Sequence, residues 1–222
     1  IESVDGARRR THYEATFQLY MPAYFAADYG HSLSAVPSGE LWWCESTYKV
    51  SSERQPPPQQ FSADVQSLRA IRGQGALSLK AARREREHVQ LIFRPFEDPG
   101  PIHVSVTDLT GAGKRRIPAS AIQVREVAYV EVTQPTDRTG VAAPWPDPLP
   151  PLQGAWRPRA DRNNVLWITV TVPADAAAGD YASTITLRSE QSRREIPLKL
   201  HVWNFTLPQM TSLRSGFGVQ PG

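Results

Sequence analysis

Apolar and polar residues alternate with a period of two over much of this chain. Leu166, Ile168, Val170 and Val172 alternate with Trp167, Thr169 and Thr171, and Leu198, Leu200 and Val202 alternate with Lys199, His201 and Trp203. Successive side chains of a strand point to opposite faces, so each run predicts a strand with one face in a core. The longest run puts Ile122, Val124, Glu126, Ala128, Val130 and Val132 on one face of a single long strand. Further strands are expected at 41–48, 76–79, 88–94, 102–109, 181–188 and 213–219, and Thr16–Tyr20 reads as one more. Thr110-Gly111-Ala112-Gly113 predicts a hairpin or short loop, Pro173 stops a strand, and Gly179-Asp180 opens the next. No amphipathic helix longer than three turns is legible and no repeat is evident. Strands joined by short loops predict an all-β antiparallel two-sheet β-sandwich, immunoglobulin-like or jelly-roll-like, with little helix.

Two stretches break the pattern. Pro56-Pro57-Pro58 reads as a stiff connector. Residues 134–159 hold seven prolines, with Trp145 and Trp156 among them. A loop of that length inside a compact domain is unusual and often functional. Residues 1–40 give no clear reading.

Composition adds limits rather than chemistry. The 222 residues are enough for one large β-domain or two small ones, and enough to bury a real core. The net charge is +3 and the pI about 9.2. Arginines alternate with acids at Arg83-Arg84-Glu85-Arg86-Glu87, so no one-sided basic stripe points to nucleic acid. Mean hydropathy is −0.42, and no apolar run is long enough for a membrane helix. No signal peptide is visible at the start of the sequence. The single cysteine, Cys44, follows Trp42-Trp43 in an apolar strand and is expected to be a buried, inert thiol.

Five phrases, in order, resemble a known family: Leu41-Trp42-Trp43-Cys44-Glu45-Ser46-Thr47; Leu79-Lys80-Ala81-Ala82-Arg83-Arg84-Glu85-Arg86-Glu87; Trp145-Pro146-Asp147-Pro148-Leu149-Pro150; Val172-Pro173-Ala174-Asp175 through Gly179-Asp180-Tyr181; and Leu198-Lys199-Leu200-His201-Val202-Trp203-Asn204-Phe205-Thr206-Leu207-Pro208, then Phe217-Gly218. Over residues 41–219 they resemble the N-terminal part of glycoside hydrolase family 123 and of the related "domain of unknown function 4091" proteins. The resemblance implies a β-sandwich followed by a TIM-type barrel. That barrel would hydrolyse N-acetylgalactosaminides with retention, assisted by the substrate's acetamido group. The family's catalytic Asp-Glu pair lies in the barrel, and this sequence has no Asp-Glu dipeptide. The implied organisation is an unclear segment at 1–40, the sandwich at 41–207, and a linker with the start of a barrel at 208–222. A bacterial origin and secretion or a periplasmic location are implied with it.

No catalytic residue is therefore assigned to this chain. Glu85 and Glu87 would share a strand face, but pairing with neighbouring arginines explains them. Trp42 and Trp43 should face opposite ways, one into the core. The other, with Trp167 and Trp203, is a candidate sugar platform or domain contact. Trp145 and Asp147, in a loop ordered by prolines, are candidates to reach a substrate cleft or to dock the barrel. The histidines at 12, 31, 88, 103 and 201 have no zinc-type spacing, and neither Gly73-Gln74-Gly75 nor Gly111-Ala112-Gly113 has nucleotide-loop context, so no metal and no cofactor is expected. The expected partners are a catalytic barrel, in cis or in trans, and a glycan. The rival readings are an independent carbohydrate-binding module and a subunit of a split glycosidase.

Overall fold

The computed structural model describes residues 2–4, 10–12, 25–27, 29–33, 38–54, 71–72, 75–136 and 141–210. The expectations for 16–20, 56–58 and 213–219 lie outside these residues. The strands are β1 (Glu2–Val4), β2 (Arg10–His12), β3 (Phe25–Ala26), β4 (His31–Ser32), β5 (Gly39–Glu45), β6 (Lys49–Val50), β7 (Ile71–Arg72), β8 (Leu77–Arg83) and β9 (Arg86–Pro95). They continue with β10 (His103–Val106), β11 (Leu109–Gly111), β12 (Arg116–Ile117), β13 (Ile122–Glu126), β14 (Tyr129–Val132), β15 (Ala143–Pro146), β16 (Asn164–Thr171), β17 (Gly179–Arg188) and β18 (Arg193–Thr206). Two single 3-10 turns, Ala112–Lys114 and Ala119–Ala121, are the only helical elements among the described residues.

Two six-stranded sheets form the sandwich. One has the order β12-β11-β17-β18-β8, with β10 extending the β11 edge of β17. The other has the order β13-β16-β9-β5-β4-β7. It already includes β4, before residue 41. Between them lies one core, to which the first sheet gives Leu77, Leu79, Leu109, Tyr181, Ile185, Ile196, Leu198, Leu200 and Val202. The second gives Trp43, Val89, Leu91, Phe93, Leu166, Ile168 and Val170. Of these, Leu166, Ile168, Val170, Leu198, Leu200 and Val202 are the residues that period-two alternation placed inward.

Most pairings are antiparallel, but β8 runs parallel to β18, β4 to β7 and β3 to β6. β8 ends in an arch. Arg84 takes a left-handed φ of 65° and the chain crosses to the opposite sheet within two residues. Neighbouring chain ends hold this turn: Arg84 N–H donates to Val172 O, Val172 N–H to Glu85 O, and Ala82 N–H to the Glu85 carboxylate at 2.6 Å. Glu85 therefore sits at the turn, not in a strand beside Glu87.

The second sheet is buried on both faces. Trp42, Cys44, Val50, Ile92, Val127 and Val165 form a second cluster on its outer side, flanked by Tyr29, Tyr48, Tyr129, Leu149 and Trp167. Hence both Trp42 and Trp43 are buried. A continuous apolar run such as Leu41-Trp42-Trp43-Cys44 is what a doubly covered strand requires.

The expected long strand 122–132 is broken at Val127-Ala128. β13 pairs with β16, whereas β14 leaves that sheet and pairs with β15. At the break Val127 N–H donates to Val165 O and its side chain enters the second cluster. The face predicted from Ile122 onward is not continuous: Ile122 is core and Val130 is 48% exposed. Burying Val127 on the outer side turns the strand over. The Pro-rich segment then lies along this broken strand. Glu126 N–H donates to Pro150 O and Ala128 N–H to Pro148 O. A proline edge accepts such bonds while presenting no N–H of its own that would need a partner.

The end of β18 leaves the core. Leu198, Leu200 and Val202 are inward, but Phe205 is 54% exposed. Between Val202 and Thr206 the register with β8 shifts by two residues, and this bulge takes the strand end off the core. Pro208 lies two residues beyond the last strand residue, Thr206, a place suited to a residue that cannot donate to a ladder.

Candidate functional site

The six aromatic and acidic candidates fall into different environments. Trp42 and Trp43 are interior, and His31 stacks on Trp43 at 4.2 Å. Trp167 is half-buried and its indole N–H donates to His88 Nδ1 at 3.2 Å. Trp145 lies in β15 and is turned back on the protein: its Nε1–H donates to Val141 O at 2.7 Å, and Lys49 Nζ sits 5.5 Å from its ring centroid. Asp147 is exposed, with its backbone N–H donating to Ala128 O. Only Trp203 is an indole with substantial exposure, 44%.

Trp203 stands at one end of an open depression of about 940 Å³ on the outer face of the first sheet. Strand register builds this surface. Thr110, Ala182, Lys199 and Ser78 are consecutive cross-strand neighbours, and Asp180, His201 and Lys80 form the next row. Alternation forces these positions outward, because Tyr181, Leu200 and Leu79 between them fill the core. His201 Nδ1 meets Asp180 Oδ1 at 2.7 Å, and the imidazole packs edge-on against Trp203 at 4.4 Å and 73°. A carboxylate thus holds a histidine, and the histidine holds an indole.

The titratable groups with displaced pKa values belong to the scaffold. Burial, with a smaller contribution from Glu45, pushes the Cys44 thiol far up. Tyr129 is raised mainly by burial, and its hydroxyl donates to Val50 O at 2.9 Å. Arg116 and the Ala119 N–H hold Asp108 below the usual carboxylate range. Among the described residues, no group of three or more His, Cys, Asp or Glu converges as a metal site would.

Sequence reading singled out Trp203 but missed Asp180, Lys80 and Thr110 beside it. The alternation Lys199, His201, Trp203 was the available signal. The partners on β8, β11 and β17 follow only from pairing register.

A glycoside hydrolase 123 N-terminal domain model matches residues 65–189. The chain belongs to that family. Among solved structures it is similar to a family 123 glycoside hydrolase from Clostridium perfringens described for glycolipid glycan hydrolysis, at 14% identity and a TM-score of 0.50. That match covers 59% of this chain and 23% of the Clostridium protein, so the chain corresponds to under a quarter of that protein. A CaDoc0917–CaCohA2 complex matches at 15% identity over 58% of this chain and 99% of its own, with a TM-score of 0.25, too low to bear on the fold. No curated protein matches.

Proposed function

We propose that this family 123 N-terminal domain is a non-catalytic module that supports a following catalytic barrel in a glycoside hydrolase. The observation that carries this reading is the apolar exit of β18. The last core residue of the strand is Val202, yet Phe205 and Met210 follow at 54% and 84% exposure. Arg83 fixes this exit, donating to Asn204 Oδ1 at 2.8 Å and to Ala176 O, while Leu207 N–H donates to Arg83 O. Exposed apolar side chains on an anchored strand end suit a domain contact. By family resemblance the substrate is an N-acetylgalactosaminide, cleaved in the barrel with help from its acetamido group, and the protein is secreted or periplasmic.

Two proteins test this: the pure 222-residue chain, and a longer protein in which the natural sequence continues beyond residue 222. Chromogenic N-acetylgalactosaminide should be cleaved by the longer protein only. Phe205→Asp with Met210→Asp should lower the melting temperature of the longer protein and leave that of the short chain unchanged. Sugar release by the short chain, or an indifferent longer protein, refutes the reading.

A further inference from the structure

We infer that the outer face of the first sheet is a binding site for a short neutral oligosaccharide, with Trp203 as its stacking platform. The site lies on the β8-β18-β17-β11 face, whose lining includes Trp203 but neither Phe205 nor Met210, and it does not depend on the docking proposal.

Three features carry the inference. The first is a pre-positioned ring. Trp203 is 44% exposed, and the Asp180–His201 pair braces it edge-on. A ring already held in place loses little side-chain freedom when a ligand covers it. An indole face offers flat apolar area for the C–H face of a pyranose.

The second is the shape of the floor. Ala182 stands between Thr110 and Lys199 in the outward row, and its methyl group rises little above the sheet. The low floor runs from the β18 row that bears Trp203 toward β11. The full width from β8 to β11 is three strand spacings, about 14 Å. That length suits a short oligosaccharide better than a single ring.

The third is the polar lining. Lys80 and Lys199 supply ammonium donors and have no carboxylate partner among the described residues. Ser78 and Thr110 supply hydroxyls, and Asp180 supplies an acceptor whose side chain is 88% exposed. Sugar hydroxyls need donors and acceptors together, and this mixture provides both. A phosphate-bearing ligand would meet the projecting Asp180 carboxylate and no helix N-terminus. A protein surface seated here would have to bury two unpaired ammonium groups, which is unfavourable.

The test is calorimetric titration of the 222-residue chain with neutral oligosaccharides terminating in N-acetylgalactosamine, galactose or glucose. Saturable binding to at least one is expected. Trp203→Ala should weaken it by about tenfold or more, while Trp203→Tyr should keep it within a few-fold, since a tyrosine ring still stacks. Phe205→Ala should leave affinity unchanged. Absence of binding to every sugar in the millimolar range overturns the inference, as does equal affinity of Trp203→Ala and the parent chain. Hydroxyl-radical footprinting of the longer protein gives an independent check. Trp203 should remain reactive without sugar and become protected on adding it. Protection without sugar would make the face a domain contact and overturn the site, whereas failure of the Phe205/Met210 test would leave it standing.

Discussion

Asn163 anchors a buried polar knot under the second sheet, and replacing it should be costly. Its side chain is inside, 2% exposed. Its Nδ2 donates to Ala27 O at 2.7 Å and to Ser51 O at 2.8 Å. Its Oδ1 accepts from Arg94 Nε at 2.8 Å. Arg94 is itself buried at 7% exposure, with Glu40 and Ala27 O as its other partners and the Trp42 ring 5.1 Å away. Asn163→Ala removes two neutral hydrogen bonds, worth about 1 kcal/mol each, and one to a charged group, worth about 1.5–3 kcal/mol. It also strands part of a buried guanidinium. The expected loss is roughly 4 kcal/mol, which lowers the melting temperature by about 10 °C for a domain of this size. Asn163→Asp separates the two halves of the effect. It keeps the Arg94 bond but sets acceptors against two carbonyls, and should still cost about 2 kcal/mol. Urea titration followed by circular dichroism measures both, with unchanged m-values. A loss below about 1 kcal/mol for Asn163→Ala would show that water or rearrangement satisfies the knot, and would refute the argument.

Leu198→Ala, which empties a fully buried site in β18, should cost about 2–5 kcal/mol, whereas Phe205→Ala in the short chain should stay within about 0.5 kcal/mol, both read by the same urea titration. Cys44 is fully buried and its thiol is held protonated by burial, so a thiol reagent should label nothing in the native chain and one group after denaturation. The carboxyl of Asp108 is held below its unfolded value by Arg116 and by the Ala119 N–H, so its stabilisation is present above about pH 4 and is lost as pH falls toward the folded pKa. Asp108→Asn should therefore melt below the parent protein near neutrality, and thermal melts should show the gap closing in acid.

The sequence by itself determined the class of this fold and the inner faces of its main strands. Leu166–Val172 and Leu198–Val202 alternate because one side of each strand must be apolar, and that constraint is written locally, residue by residue. Proline and glycine marked the breaks at Pro173, Gly179 and Gly111 for equally local reasons. The outer layer was not legible. Trp42 and Trp43 looked like one core ring and one exposed ring, because alternation reports which residues share a face and not what covers the other face. Part of the cover comes from Val127, Tyr129 of β14 and Leu149 of the Pro-rich segment, far away in sequence. The break at Val127 was hidden for the same reason: its burial depends on a second cluster that only assembled sheets create. The candidate site shows the division most sharply. Trp203, His201 and Lys199 stand on one face by periodicity alone. Asp180 and Lys80 join His201 only because β17 and β8 flank β18 in one particular register, and a register is a property of paired strands, not of any single one.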